Sequence, residues 1–157
     1  MKSSKTLFVV KSAIIAALYA VLTFIVPSNG AVQLRIAEAL TVLPVFTPAA
    51  IPGLFVGCII ANFVGGCIPW DIVAGSAATL IGALGTYLLR RHKILSLLPP
   101  IAVNTVVVPL VLAYAYGMEG TVPFFMLTVG IGEIISCGVL GYLLRMALQK
   151  YGKGIDF

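Results

Sequence analysis

The stretch ALTVLPVFTPAAIPGLFVGCIIANFVGGCIPW, residues 39–70, decides the fold because it contains no charged side chain. A transmembrane helix needs about 20 apolar residues, so this segment and the residues just before it, from residue 33, form either one long span or two short ones. Residues 33–70 would extend about 57 Å as a helix at about 1.5 Å per residue, enough for two short or tilted spans. Since prolines interrupt helices, three of the prolines in this segment favour two spans that reverse near residues 46–48. These prolines are Pro44, Pro48 and Pro52.

The distribution of basic residues decides between one span and two. Long apolar stretches separate three basic clusters, and cytoplasmic loops of membrane proteins carry such an excess of Lys and Arg. Two spans between residues 33 and 70 place all three clusters on one side, whereas one span places the middle cluster on the other side. We therefore predict two spans, with both termini cytoplasmic. The clusters are Lys2, Lys5 and Lys11; Arg90, Arg91, His92 and Lys93; and Arg145, Lys150 and Lys153.

Composition supports an integral membrane protein throughout. Hydrophobic residues make up 61% of the 157 residues and charged residues only 10%, with mean hydropathy +1.12. Soluble domains carry about 45–50% apolar and about 25% charged residues. The basic clusters lack the interleaved polar and aromatic contacts of a nucleic-acid surface, which excludes that class of partner. We predict one all-α domain over residues 1–157, a polytopic bundle of six transmembrane helices in the plasma membrane. The helices are expected at about 7–26, 35–46, 49–64, 71–89, 94–116 and 122–149.

The few polar residues near or within these spans are the candidate binding residues, since ionisable groups inside a membrane are costly. Glu133 stands out because the predicted spans offer it no obvious cationic partner. The other candidates are Asn104, Asn62, Trp70, Asp71, Gln33, Arg35 and Glu38.

Each candidate also has a structural interpretation. Trp70 suits an interfacial anchor, and Asp71 suits a helix cap. Asn62 and Asn104 suit hydrogen bonds between helices. Arg35 and Glu38, three residues apart on one predicted helix face, form either a mutually neutralised pair or the wall of an outward-facing pocket.

The first helix carries small residues at two overlapping four-residue spacings. Such spacing allows another helix to approach closely, either within the bundle or from a partner protein. We identify no catalytic residues, metal ligands or cofactor site, and no P-loop for nucleotides. The small residues are Ala13, Ala16, Ala17 and Ala20.

Several motifs resemble one family of transporters. GAVQLRIAEALTVLPVFTPAAIPGLFVGCIIAN at residues 30–62, DIVAGSAATL at 71–80 and GIGE at 130–133 strongly resemble the QueT family of queuosine-precursor transporters. The resemblance implies a substrate-binding S-component of an energy-coupling factor (ECF) importer. Its partners would be a transmembrane T-component, docking at the alanine motif of the first helix, and two ABC-type ATPases.

The resemblance also implies a deazapurine substrate, 7-aminomethyl-7-deazaguanine. A ligand of this kind needs a carboxylate for its donor edge, an amide for its carbonyl, an aromatic surface and a second acid for its ammonium group. Glu133, Asn104, Trp70 and Asp71 supply these groups in our prediction, with Glu38 or Glu119 able to replace Asp71.

Two other classes of protein stay open as rivals. A stand-alone secondary transporter for a small polar or purine-like solute is the alternative, although no inverted repeat or chain of titratable residues crosses the predicted spans. An intramembrane enzyme is the second rival, but no nucleophile–base pair is apparent. A requirement for ATPase partners in uptake would separate the S-component from the secondary transporter, and product formation would identify an enzyme.

Overall fold

A computed structural model describes residues 2–25 and 34–151. In these ranges the chain is helical without β-strands, which confirms the predicted fold class of an all-α membrane protein. Gln33 lies outside the described residues. The six helices of the described part are α1 Lys2–Ile25, α2 Ile36–Val45, α3 Ala50–Val64, α4 Pro69–Leu88, α5 Leu95–Ala115 and α6 Val122–Tyr151.

Four of the helices within the described ranges are long and apolar enough to cross a membrane. These are α1 from Ser4, α4, α5 and α6, whereas α2 and α3 are shorter apolar helices. The 15 residues of α3 correspond to about 22 Å at about 1.5 Å per residue, less than the roughly 30 Å of a hydrocarbon core. The two helices at the proline-rich segment are thus short, as the sequence suggested.

Helix α2 is the central element of the bundle. It packs against α1, α4 and α6, and eight of its ten residues are buried. It is wound as a 3-10 helix over its whole length, although such helices seldom exceed three or four residues. Pro44 lies within it and cannot donate a backbone hydrogen bond. This buried position carries Glu38 into the middle of the bundle.

Helices α1 and α3 approach closely because two glycines of α3 face α1. A Cβ atom at Gly57 would lie 2.9 Å from the Ala16 carbonyl oxygen and 2.9 Å from the Tyr19 Cβ. A Cβ at Gly53 would lie 2.8 Å from the Ser12 carbonyl oxygen. Small residues on both helices therefore bring the two backbones together and bury the Tyr19 side chain.

The alanine motif of α1 is divided between two faces of the helix. Ala16 and Ala20 are 5% and 8% exposed and belong to the packed interior. Ala13 and Ala17 lie on the exposed face. One of the overlapping spacings is therefore used inside the bundle, and the other is available on the outer surface.

Candidate functional site

Two buried carboxyl groups meet in the interior of the bundle. Glu38 is 2% exposed on α2, and Glu133 is 4% exposed on α6. A carboxylate oxygen from each and the Cys137 sulfur lie within 4.8 Å of one another. Two acidic side chains are thus concentrated at one place in the buried interior, where charge is costly without compensation.

Each carboxyl group is held by hydrogen bonds from neighbouring helices. The Asn104 amide of α5 donates to Glu133 Oε1 over 3.1 Å, and the Cys137 thiol donates to Glu133 Oε2 over 3.1 Å. The Tyr19 hydroxyl of α1 donates to Glu38 Oε1. Four helices therefore contribute to one polar network, in which each contact fixes the position of a carboxyl group.

Local helix geometry explains how Glu133 and Cys137 reach the same place. A π-helical stretch, Ile134–Leu140, begins directly after Glu133 and contains Cys137. Residues four apart lie on one face of a helix, and π-helical turns often occur at functional sites. The Cys137 sulfur also lies 3.4 Å from the Glu38 carbonyl oxygen and from Thr41 Oγ1, which ties α6 to α2.

A small closed cavity adjoins this network. Its volume, measured as the space that the centre of a water molecule can occupy, is about 10 Å³. The cavity can therefore hold about one water molecule. Any larger ligand requires the helices around the cavity to separate. The lining residues are Arg35, Glu38, Gly75, Thr79, Asn104, Val108, Val129 and Glu133.

Acidic groups outnumber basic groups around the cavity. Two carboxyl groups face one guanidinium group, that of Arg35. Among the described residues, Glu38 Oε2 is buried and has no hydrogen-bond partner. The site can therefore accommodate one further cation or proton. Glu38 Oε2 can accept one further hydrogen bond.

The three groups nearest one another do not match the ligand preference of a single class of metal ion. Glu38, Glu133 and Cys137 are close enough to share a metal, but the Cys137 thiol donates a hydrogen bond to Glu133. Metal ligation needs the thiolate instead. Hard oxygen ligands and a soft sulfur also suit different metals.

The remaining predicted residues that lie in the described ranges are apart from this cavity. Trp70 is 72% exposed and lines an apolar groove of about 470 Å³ with residues from the end of α5, Tyr114 among them. Asn62 is buried between α3 and α4, where its amide lies 3.5 Å from the Cys58 sulfur. Neither residue lines the cavity.

Asp71 belongs to a separate polar contact at the start of α4. Its Oδ2 atom accepts a hydrogen bond from the Tyr116 hydroxyl over 3.0 Å. Partial burial, followed by this hydrogen bond, raises the pKa of Tyr116 to about 12, which keeps the phenol protonated as the donor. Asp71 therefore joins the start of α4 to the chain just after α5. Glu119, the other proposed partner for an ammonium group, is exposed.

Sequence reasoning missed two members of the network, Tyr19 and Cys137. A usable signal existed for Cys137, because it lies four residues after Glu133 on the same helix. Tyr19 stands between Ala16 and Ala20 in an apolar run, and nothing local marks its hydroxyl as a partner of Glu38. Only the packing of α1 on α3 and α2 reveals it.

The fold and the buried carboxyl pair define a polytopic helical membrane protein with a closed polar site between its helices. A model of the QueT transporter family matches residues 9–150. The chain belongs to the QueT transporter family, as the sequence motifs predicted.

One curated relative supports the same family. The chain is 37% identical over 99 residues to the queuosine precursor transporter QueT of Lactococcus lactis subsp. cremoris (strain MG1363). The aligned part covers 59% of this chain and 57% of the relative, a little over half of that protein's length. No solved structure matches the chain.

Proposed function

We propose that this protein is the substrate-capture S-component of an ECF-type importer for a queuosine precursor, 7-aminomethyl-7-deazaguanine. The observation that carries the proposal is the excess of carboxyl groups over cations at the cavity. A ligand with one ammonium group and several ring donors would compensate that excess and satisfy the free oxygen of Glu38. Membership of the QueT family supports the choice of ligand class.

The network suggests a role for each polar side chain. Glu133 would accept the ring N–H and exocyclic amine donors, since a carboxylate can bind two donors side by side. Glu38 would take the ammonium group, in place of Asp71. The Asn104 amide and the Arg35 guanidinium would donate to the ring carbonyl. Val108 and Val129 would offer an apolar surface to the ring, in place of the aromatic surface of Trp70.

The closed cavity makes the proposal conformational as well as chemical. A bicyclic ligand is far larger than one water molecule, so binding would require the helices around the cavity to move apart and close again. A ligand can shift the protein from the open to the closed state only if it binds the closed state more tightly than the open one. Hydrogen bonds to both Glu38 on α2 and Glu133 on α6 would provide that difference by holding the two helices together.

Energy for transport would come from partner proteins. The proposed T-component would dock on the exposed face of α1 at Ala13 and Ala17, where small side chains permit close helix packing. Two ABC-type ATPases would hydrolyse ATP, in agreement with the lack of a P-loop motif in this sequence. The protein would lie in the plasma membrane with both termini cytoplasmic and would itself catalyse no reaction.

Calorimetry on the purified protein in detergent tests the proposed substrate. We expect 7-aminomethyl-7-deazaguanine to bind without partner proteins and more tightly than guanine, which lacks the ammonium group. Glu133→Gln should weaken both ligands about 10- to 150-fold, because a hydrogen bond to a charged group contributes about 1.5–3 kcal/mol. Glu38→Gln should mainly reduce the preference for the aminomethyl compound.

The exposed Glu119→Gln is the matched control, since it removes one carboxylate away from the cavity. Its affinity should equal that of the unchanged protein. Unaltered binding by Glu133→Gln would remove the proposed site. A folded protein that binds neither compound would remove the proposed substrate.

A further inference from the structure

A second polar pocket lies near the end of α6, about 18 Å along the helix from Glu133 at about 1.5 Å per residue. It holds about 330 Å³ between α6 and the connection from α4 to α5. Three of its lining residues are cationic, and no acidic side chain lines it in the described part of the chain. The lining residues are Lys93, Tyr142, Arg145, Met146, Gln149 and Lys150.

Arg145 is a buried residue of this pocket's lining. It is only 4% exposed. Its guanidinium donates to the carbonyl oxygens of Arg90 and Lys93 over 3.2 and 3.0 Å and to Ser96 Oγ over 2.6 Å. These contacts satisfy carbonyl groups beyond the end of α4, a familiar use of a basic side chain. They hold the guanidinium of α6 against the connection between α4 and α5 and against the start of α5.

One nitrogen of the Arg145 guanidinium has no acceptor in the described part of the chain. That nitrogen is the buried Nε. A buried donor left without an acceptor costs roughly 1–3 kcal/mol, more on a charged group. Lys93 and Lys150 are exposed at the same pocket, and the Tyr142 hydroxyl adds another possible donor. The pocket thus combines one buried guanidinium with two exposed ammonium groups, of which that of Lys150 lies 5.3 Å from the centroid of the Tyr151 ring.

The surroundings indicate that this pocket opens at the edge of the lipid. Ile94, next to Lys93, is 69% exposed, and Leu143 and Met146 on α6 are 52% and 46% exposed. Large apolar side chains are thus available to acyl chains beside a cluster of positive charge. Basic pockets of this kind between transmembrane helices bind the head groups of anionic lipids.

We propose that this pocket is a binding site for the phosphate-bearing head group of an anionic phospholipid. Lys93 and Lys150 bind the phosphate from the rim, and the buried guanidinium of Arg145 adds a third positive charge to the pocket. The bound lipid would fasten the connection between α4 and α5 to α6. The site is separate from the carboxyl pair and does not depend on the proposed substrate.

Native mass spectrometry of the delipidated full chain tests the proposal, with phosphatidylglycerol as the anionic probe and phosphatidylcholine as the zwitterionic comparison. We expect selective binding of phosphatidylglycerol. The variant Lys93→Gln/Lys150→Gln should bind it about 30-fold more weakly, from the contribution of two lysines near an anionic head group. Arg145 is left unchanged because its carbonyl contacts support the fold.

A matched control separates a defined site from general positive charge. Lys5→Gln/Arg91→Gln removes the same charge from two exposed residues that do not line the pocket. It should retain phosphatidylglycerol as the unchanged protein does. Equal losses in both double variants, or none in Lys93→Gln/Lys150→Gln, would overturn the proposal.

Titration with inorganic phosphate distinguishes the two sources of a phosphate group. Weak phosphate binding that is lost in Lys93→Gln/Lys150→Gln, together with tight binding of phosphatidylglycerol, supports the lipid head group. Binding of inorganic phosphate without binding of phosphatidylglycerol would overturn the lipid assignment.

Discussion

Replacement of Tyr19 by Phe tests the network that positions Glu38. Tyr19 is 1% exposed, and its hydroxyl donates to Glu38 Oε1. The other oxygen of Glu38 already lacks a partner among the described residues. Tyr19→Phe would therefore remove the Tyr19 hydrogen bond from a buried carboxyl group whose second oxygen is already unsatisfied.

The expected loss of stability follows from this burial. An unsatisfied buried polar group costs about 1–3 kcal/mol, and a charged group costs more. With little water able to replace the hydroxyl, we expect the free energy of unfolding to fall by about 2–3 kcal/mol. Reversible unfolding in mixed micelles of dodecylmaltoside and sodium dodecyl sulfate, followed by circular dichroism, would measure it.

A double-mutant cycle isolates the contact itself. In the Glu38→Gln background, Tyr19→Phe should cost less, since a neutral amide is less expensive to leave unpaired than a carboxylate. Tyr114→Phe is the matched control because that side chain is 79% exposed, and its effect should stay within about 0.5 kcal/mol. A similar small change for Tyr19→Phe, or no coupling between Tyr19 and Glu38, would refute the reasoning.

Two further predictions concern partner docking and the contact between Asp71 and Tyr116. Ala13→Leu/Ala17→Leu should leave ligand binding in detergent intact but prevent ATP-dependent uptake in vesicles that contain the partner proteins. The control is Leu18→Phe, which also enlarges an exposed residue of α1 but one that does not share the i, i+4 face of Ala13 and Ala17, and it should leave uptake unchanged. Normal uptake by the double variant would contradict docking at Ala13 and Ala17. Difference absorbance titration of the unchanged protein against Tyr116→Phe should show a phenol ionising near pH 12. A tyrosine in the unfolded chain ionises at about pH 10. The contribution of protonated Tyr116 to the stability of the fold is therefore complete below about pH 10 and falls as the pH rises towards 12. Ionisation of Tyr116 at about pH 10 in the folded protein would argue against the hydrogen bond to Asp71.

The candidate site was partly predictable because polar residues are conspicuous in an apolar sequence. Glu133 and Asn104 were selected for the cost of placing them inside a membrane, and the structure joins them by a hydrogen bond. Arg35 and Glu38 were recognised as a pair three residues apart, and both line the cavity. Their roles towards a substrate stay predictions.

Other residues could not be assigned by the same reasoning. Trp70 and Asp71 are adjacent in the sequence, and both had been proposed to contact the ligand. The structure puts Trp70 in an apolar groove and Asp71 in a contact with Tyr116. The direction in which each side chain points depends on the rotation of α4 within the bundle, which residue type does not reveal.

The sequence by itself determined the solvent and the class of fold. Long apolar runs and three basic clusters require a helical protein in a membrane, because backbone groups in lipid must be satisfied within helices or closed barrels. Tertiary structure alone decided which polar groups meet. The central position of α2 brings together residues more than 90 positions apart, such as Glu38 and Cys137. The glycines of α3 let α1 approach closely and bury Tyr19. Packing between distant helices depends on the shapes of whole surfaces, so no local pattern in the chain encodes it.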